Sequence, residues 1–210
     1  MNKIPEGIYG ITAENFANGK SNIECVKQMI EAGIKIIQYR EKYKSIKEKL
    51  KEAKAIAKLC KENKVIFIVN DHIDIALLCD ADGVHVGQDD MNISDVRALI
   101  GKSKIIGVST HNIKQAKQAK MDGADYIGVG PIHKTATKDT APVGYAYLEE
   151  VVKQIDIEFV AIGGIKEENI CEVVRRGAKS ICLVSDIVAS SSIVKKVKSL
   201  EKIVKSVSTY

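Results

Sequence analysis

The sequence alternates between short apolar runs and longer amphipathic segments, and the pair recurs roughly every 25 residues. The run at residues 65–69 is apolar throughout, which is typical of a parallel strand buried on both faces. The segment before it starts at Ser45, a good helix N-cap, and continues to about residue 62. Eight such units fit a (β/α)8 TIM barrel, an α/β fold, better than an open doubly wound sheet. We therefore predict one domain over residues 1–210.

The predicted elements follow one another without a linker or a low-complexity tract. The predicted strands cover residues 8–12, 34–39, 65–69, 83–86, 104–109, 126–129, 159–162 and 180–184. The predicted helices cover residues 22–32, 45–62, 73–79, 92–100, 112–121, 145–155, 166–176 and 191–207. This order predicts a parallel sheet covered by helices.

Composition narrows the classes of partner and the cellular location. No segment is apolar for long enough to span a bilayer, and residues 1–7 lack the apolar core of a signal peptide, so we expect a cytoplasmic protein with no membrane partner. The net charge of +5 comes from lysines spread over helical faces among glutamates. Tryptophan is absent and other aromatic residues are few, which leaves no stacking platform for bases. We therefore expect small-molecule substrates and no nucleic acid.

Polar residues gather where the predicted strands end, which is where TIM barrels carry their active sites. These residues are Gln38, Arg40, Lys42, Asn70, Asp71, Asp90, Ser109, His111, Thr135, Thr137, Lys138 and Ser185. Because the carboxyl ends of parallel strands meet at one rim of a barrel, we expect these side chains to converge.

Three stretches predict anion binding. Gly130 and Pro131 stop the sixth strand, and two threonines and two lysines follow in residues 132–138, a loop suited to phosphate; an ordinary polar loop is the alternative. Gly163–Gly164 and Val184–Ser185 follow the seventh and eighth strands, where barrels commonly bind phosphate. A double glycine also occurs in turns that bind nothing.

Asp71 and Asp90 follow adjacent predicted strands, and two close carboxylates repel each other unless a cation lies between them. Hard oxygen ligands suit Mg²⁺, which also binds substrate phosphates. Each aspartate alone could instead cap the next helix. Together with Arg40, Lys42 and Lys138, the pair predicts a magnesium–pyrophosphate site. No serine-hydrolase elbow, Walker loop, zincin motif or Cys-x-x-Cys is present, and His111 is the histidine best placed to act as an acid or base.

These strand ends, taken in order, resemble the thiamine-phosphate synthase family. The resemblance lies in residues 38–42, 69–71, 82–90, 107–111, 128–132, 135–138 and 162–165. It implies a transferase of thiamine biosynthesis that joins 4-amino-2-methyl-5-(hydroxymethyl)pyrimidine diphosphate to a thiazole phosphate, or to its carboxylated form, and releases pyrophosphate. The implied mechanism is dissociative: diphosphate leaves, and the thiazole nitrogen attacks the resulting cation.

The resemblance also implies a role for each residue. Arg40, Lys42, Asn70 and Lys138 would hold the diphosphate, Asp71 and Asp90 its Mg²⁺, Gln38 and Ser109 the pyrimidine, and Thr135, Thr137, Gly164, Val184 and Ser185 the thiazole phosphate. Two positions depart from the family pattern. Ala13 follows Thr12 where an aspartate is usual, and Asp186 follows Ser185 where a small residue is usual, which adds a negative charge near a phosphate.

Three other functions remain open at this point, among them a generic phosphate-binding barrel enzyme of amino-acid biosynthesis. A thiazole tautomerase on the same barrel would use His111 for proton transfer and would not need the aspartate pair. A non-catalytic protein that binds thiazole or thiamine phosphate would bind without turnover. The sequence also leaves open whether the chain forms a homo-oligomer.

Overall fold

The protein folds into a ring of parallel strands surrounded by helices. The computed structural model describes residues 4–135 and 140–208. The strands are β1 (Gly7–Ile8), β2 (Gly10–Ile11), β3 (Ile36–Tyr39), β4 (Ile66–Asn70), β5 (Gly83–Val86), β6 (Ile105–Thr110), β7 (Tyr126–Val129), β8 (Glu158–Ile162) and β9 (Ser180–Cys182). The helices are α1 (Asn22–Ala32), α2 (Ile46–Glu62), α3 (Ile73–Leu78), α4 (Ile93–Ile100), α5 (Ile113–Met121), α6 (Gly144–Gln154), α7 (Ile170–Arg175), α8 (Val184–Val188) and α9 (Ile193–Ser208).

The first predicted strand is divided at Tyr9, and its two halves close the ring. β1 pairs with β9, β2 pairs with β3, and each remaining strand pairs in parallel with its neighbours in chain order. The predicted TIM barrel is thereby confirmed.

Two cores hold the barrel together. The inner core fills the ring and contains Ile4, Tyr9, Ile11, Ile36, Ile68, Ile105, Tyr126, Val160 and Cys182. The larger outer core lies between the strands and the apolar faces of the helices. Successive residues along a strand point alternately into the inner and the outer core, so both faces of each strand are buried. This explains why the strands are apolar without interruption in the sequence.

Helices α1 and α2 each begin directly after a capping serine. Ser45 caps α2 as predicted, because its side chain accepts from the Glu48 amide while Glu48 accepts from the Ser45 amide. Ser21 makes the same reciprocal arrangement at the start of α1. Within the two described stretches, no helix has the length and hydropathy needed to cross a bilayer.

Two predicted elements near the end of the chain have wrong boundaries. The eighth predicted strand, 180–184, ends at Cys182, and Val184 and Ser185 open the short helix α8 instead. The β-branched Val184 prolongs the strand pattern, whereas Asp186 in the first turn favours the helix start. The predicted helix 166–176 is shorter at both ends, since α7 covers only Ile170–Arg175 and is preceded by a turn in which Asn169 Oδ1 accepts from the Lys166 amide (2.8 Å).

Candidate active site

A cavity of about 260 Å³ lies at the rim where the carboxyl ends of the strands meet. The predicted residues that line it are Gln38, Arg40, Lys42, Asn70, Asp71, Asp90, Ser109, Thr135 and Val184. Gly164 and Ser185 are not among the lining residues. Thr137 and Lys138 lie outside the residues that the structure describes. The barrel therefore brings most of the predicted site into one pocket.

Asp71 lies at the centre of a tight turn after β4. The His72 amide donates to the Asn70 carbonyl (2.7 Å), and Asp71 itself has φ +60°, in the left-handed region. The Asp71 amide donates to the carbonyl of His85 on the neighbouring strand (2.9 Å). A non-glycine residue in this region costs on the order of 1 kcal/mol, and these hydrogen bonds hold it there. The turn thus fixes the direction of the Asp71 side chain.

The carboxyl groups of Asp71 and Asp90 interact directly. The pKa of Asp71 is raised to about 6, first by partial burial and then by the charge of Asp90 and a hydrogen bond between the two carboxyls, while Arg40 and Lys42 oppose the rise. Asp90 is held by a short turn in which its Oδ2 accepts from the Gly87 amide (2.6 Å). Two oxygen ligands that repel each other unless a cation is present fit a divalent ion such as Mg²⁺.

Arg40 and Lys42 carry the positive charge of the cavity. Burial lowers the pKa of Arg40, and the nearby Asp71 carboxylate opposes that effect. The fully buried Thr12 anchors this strand end, since its hydroxyl accepts from the Arg40 amide (2.9 Å) and donates to the Arg40 carbonyl (3.2 Å). The cations therefore project from a fixed backbone beside the carboxylate pair.

The floor of the cavity is a chain of hydrogen-bonded side chains that the sequence analysis missed. It runs from Gln38 through Tyr9, Tyr126 and His85 to Ser109 with heavy-atom distances of 3.1, 2.8, 2.9 and 2.9 Å. Of these five residues, the sequence predicted only Gln38 and Ser109 as site residues.

Two glycines in the strands are a weak indication in the sequence that large side chains fill the floor of the cavity. A methyl group at Gly107 would overlap the Tyr126 ring, and one at Gly128 would contact His85 Cε1 at 3.4 Å. These two strand positions stay small because the neighbouring aromatic rings fill the space inside the barrel.

The loop after β7 rests on the double glycine that follows β8. The Ile132 amide donates to the Ile162 carbonyl (2.9 Å), and the His133 amide donates to the Gly163 carbonyl (2.9 Å). Gly163 and Gly164 have φ +99° and +62°. A methyl group at Gly163 would overlap Pro131, and one at Gly164 would lie 2.5 Å from the Lys134 carbonyl oxygen. The glycines thus allow the two loops to approach closely, beside the cavity that Gly163 lines.

His111 lines the cavity and is held by its neighbours. Its Nδ1–H donates to the Gly130 carbonyl (2.6 Å), and its amide donates to Gln115 Oε1 (2.8 Å). The ring proton on Nδ1 leaves Nε2 as the nitrogen that can exchange a proton with a ligand.

Asp186, which departs from the family pattern, has cationic and backbone partners. Its Oδ2 lies 3.4 Å from Lys196 Nζ and accepts from the Glu167 amide at 3.3 Å. These contacts offset its charge, so the carboxylate does not oppose a phosphate near Val184 as strongly as the sequence implied.

A second acidic group lies outside the cavity. Carboxylate oxygens of Glu14, Glu41 and Glu52 fall within 4.8 Å of one another. The ammonium of Lys44 already contacts Glu14 at 2.5 Å and Glu52 at 2.9 Å, and the buried Asn22 amide donates to Glu41 and Glu52. Since this cluster contains its own cation, the Asp71–Asp90 pair is the better candidate for a metal.

The sequence profile of the thiamine monophosphate synthase family matches residues 8–187. The chain belongs to this family. It is 57% identical over 199 residues to the thiamine-phosphate synthase of Pelotomaculum thermopropionicum, with 94% of this chain and 91% of that protein covered. It is 52% identical over 201 residues to the thiamine-phosphate synthase of Caldicellulosiruptor bescii, with 95% and 92% covered.

A solved member of the same family has the same fold. The thiamine phosphate pyrophosphorylase from Pyrococcus furiosus superposes with a TM-score of 0.88 at 34% identity, and 96% of each chain is covered. The sequence-based resemblance to the thiamine-phosphate synthase family is therefore confirmed.

Proposed function

We propose that the chain is a thiamine-phosphate synthase, a transferase that joins 4-amino-2-methyl-5-(hydroxymethyl)pyrimidine diphosphate to a thiazole phosphate, with release of pyrophosphate. The observation that carries the proposal is the pairing of Asp71 and Asp90 beside Arg40 and Lys42 at the rim of the barrel. A diphosphate carries several negative charges, and this arrangement supplies both cations and ligands for a metal. High identity to named synthases over most of the chain supports the same function.

Departure of the diphosphate is the demanding step, because negative charge builds on the leaving oxygen while positive charge builds on the pyrimidine methylene. Arg40, Lys42, Asn70 and Lys138 would bind the leaving group and stabilise its charge. Mg²⁺ held by Asp71 and Asp90 would neutralise the diphosphate when bound. No protein nucleophile is needed for this chemistry, so positioning and electrostatics carry the catalysis.

The cavity also has to keep water from the cation. Ile11, Val160 and Ile162 contribute apolar surface to its wall, beside the polar floor. Gln38 and Ser109 would bind the pyrimidine, whereas Thr135, Thr137, Gly164, Val184 and Ser185 would bind the thiazole phosphate. With both partners bound in this pocket, the thiazole nitrogen is the nearest nucleophile.

The test of the proposed function is release of pyrophosphate from the purified chain given both substrates, first with Mg²⁺ and then with EDTA. We expect release only with both substrates and the metal, with thiamine phosphate as the product. Lys138→Ala should lower turnover by roughly 100-fold because it removes a cation from the leaving group, whereas Lys102→Ala, at an exposed lysine, should not change it. Near-normal turnover in Lys138→Ala would contradict the assignment of that lysine.

His111→Ala separates a synthase from a tautomerase. In a synthase the imidazole donates to the Gly130 carbonyl at the rim and transfers no proton, so we expect turnover to fall by less than about tenfold. General acid–base catalysis is worth about 10²–10⁴-fold, so a tautomerase would lose at least that much. Conversion of the thiazole phosphate in the absence of the pyrimidine diphosphate, abolished by His111→Ala, would point to the tautomerase.

Two narrower expectations from the sequence stay predictions, a single domain over residues 1–210 and a cytoplasmic location. Whether the chain forms a homo-oligomer stays as open as the sequence left it. A cytoplasmic location would suit an enzyme of thiamine biosynthesis.

A further inference from the structure

The hydrogen-bonded floor of the cavity connects two residues on strands that do not pair. Gln38 lies on β3 and Ser109 on β6, and both line the cavity. Tyr9 and Tyr126 bridge them with side chains that are 2% and 1% exposed. Burial raises the pKa of both tyrosines well above the ordinary value, so each contributes one hydroxyl proton to the floor.

One order of donors keeps every one of these protons within the hydrogen-bonded chain. Gln38 Nε2 donates to the Tyr9 hydroxyl (3.1 Å), and in this order the Tyr9 hydroxyl donates to Tyr126 (2.8 Å). The Tyr126 proton is then left for His85 Nδ1 (2.9 Å). His85 therefore carries its ring proton on Nε2 and donates it to Ser109 Oγ (2.9 Å).

The two ends of this hydrogen-bonded chain therefore offer opposite groups to a ligand in the cavity, a donor at Ser109 and an acceptor at Gln38. Because Ser109 Oγ accepts from His85, the Ser109 proton can be donated to a ligand. Because Gln38 uses its Nε2 towards Tyr9, its Oε1 is the end that can accept. In the opposite order Ser109 would donate to His85, and the Tyr9 hydroxyl would accept from both Gln38 and Tyr126 and turn its own proton out of the chain.

We propose that Tyr9, Tyr126 and His85 are positioning residues that hold Ser109 as a donor while Gln38 Oε1 accepts, and so select a heterocycle with an amino donor beside a ring-nitrogen acceptor. This inference rests on the proposed function, whose pyrimidine carries a 4-amino group next to a ring nitrogen. A 4-oxo pyrimidine presents the reverse pattern, with a carbonyl acceptor beside a ring N–H donor. Such a ligand would leave polar groups of the floor unpaired.

Tyr126→Phe tests the proposal, because it removes the hydroxyl that links Tyr9 to His85 and leaves Ser109 able to donate or accept. We expect KM for the aminopyrimidine diphosphate to rise about tenfold, and the preference for the amino over the 4-oxo substrate to fall about tenfold. KM for the thiazole phosphate should stay within about twofold. Tyr147→Phe is the matched control, since the buried Tyr147 hydroxyl bonds Thr110 Oγ1 (2.6 Å) away from the cavity lining.

The outcomes separate the inference from the function. If the wild-type chain forms no thiamine phosphate, the proposed function fails. If it does, but Tyr126→Phe lowers activity towards the amino and 4-oxo substrates equally, or behaves like Tyr147→Phe, the inference is overturned. Should Tyr126→Phe fold poorly, Tyr9→Phe breaks the chain nearer Gln38 and should show the same change of preference, whereas an unchanged preference would overturn the inference.

Discussion

Asp71→Asn is expected to lower turnover roughly 100-fold or more, because it removes one of the two carboxylates that would hold the metal against the diphosphate. Asparagine has nearly the same shape and tolerates the left-handed backbone at φ +60°, so the turn should survive. The readout is the rate of pyrophosphate release over a range of Mg²⁺ concentrations. Asp89→Asn is the control, since Asp89 lines the same cavity and directly precedes Asp90 in the turn after β5. A loss in Asp89→Asn equal to that in Asp71→Asn would contradict the assignment of the metal pair.

The same Asp71→Asn substitution should stabilise the metal-free protein at neutral pH. The pKa of Asp71 rises from its ordinary value of 3.8 to about 6, so the ionised carboxylate destabilises the folded state. That penalty is fully present above pH 6 and disappears below pH 3.8. In EDTA, Tm of the variant should exceed that of the wild type at about pH 7.5, and the difference should shrink as pH falls through 6. A difference that grows with acidity would contradict this assignment.

Gly163→Ala is expected to destabilise the protein by about 3 kcal/mol, or to lower Tm by about 6–12 °C. Part of the cost comes from the left-handed backbone at φ +99°, at about 1–2 kcal/mol. The rest comes from the overlap between the new methyl group and Pro131, which would push the loop after β7 away from β8.

Gly123→Ala is the control that separates the overlap with Pro131 from the cost of the left-handed backbone. Gly123 has φ +92°, and a methyl group there would meet no atom within 4 Å. Thermal melts of the two variants should therefore differ by the contact with Pro131 alone. KM for the thiazole phosphate should rise in Gly163→Ala and not in Gly123→Ala. Equal melting temperatures would show that the approach of the two loops contributes nothing.

The sequence predicted the barrel because its signals are local. Ser45 starts a helix through hydrogen bonds within one turn, and the apolar run at residues 66–69 is visible without knowing its neighbours. The rim residues followed from the rule that parallel strands end together. Val184 was misplaced because the apolar run of the eighth predicted strand continues through it, while the helix start depends on the residues after it.

The floor of the cavity could not be predicted, because it depends on contacts between distant residues. Tyr9 and Tyr126 are 117 positions apart, and each reads in the sequence as one more aromatic strand residue. Nothing in either strand indicates which side chain points into the ring and which points towards the helices. Those orientations follow from the register of the closed barrel, which only the structure gives.

The two hydrogen bonds from Ile132 and His133 to the end of β8 limit where this protein can tolerate insertions or deletions. These bonds continue the pairing of β7 with β8 past the end of β7. One added residue between Pro131 and His133 would therefore turn the side chains that follow it to the opposite side. The turn at residues 101–104 is mostly exposed, and the long side chain of Arg97 donates to its Gly101 and Lys104 carbonyls (3.0 and 2.6 Å). A side chain adjusts to an added residue more easily than a backbone ladder does. We therefore expect related chains to vary in length near that turn while residues 130–133 keep a constant spacing.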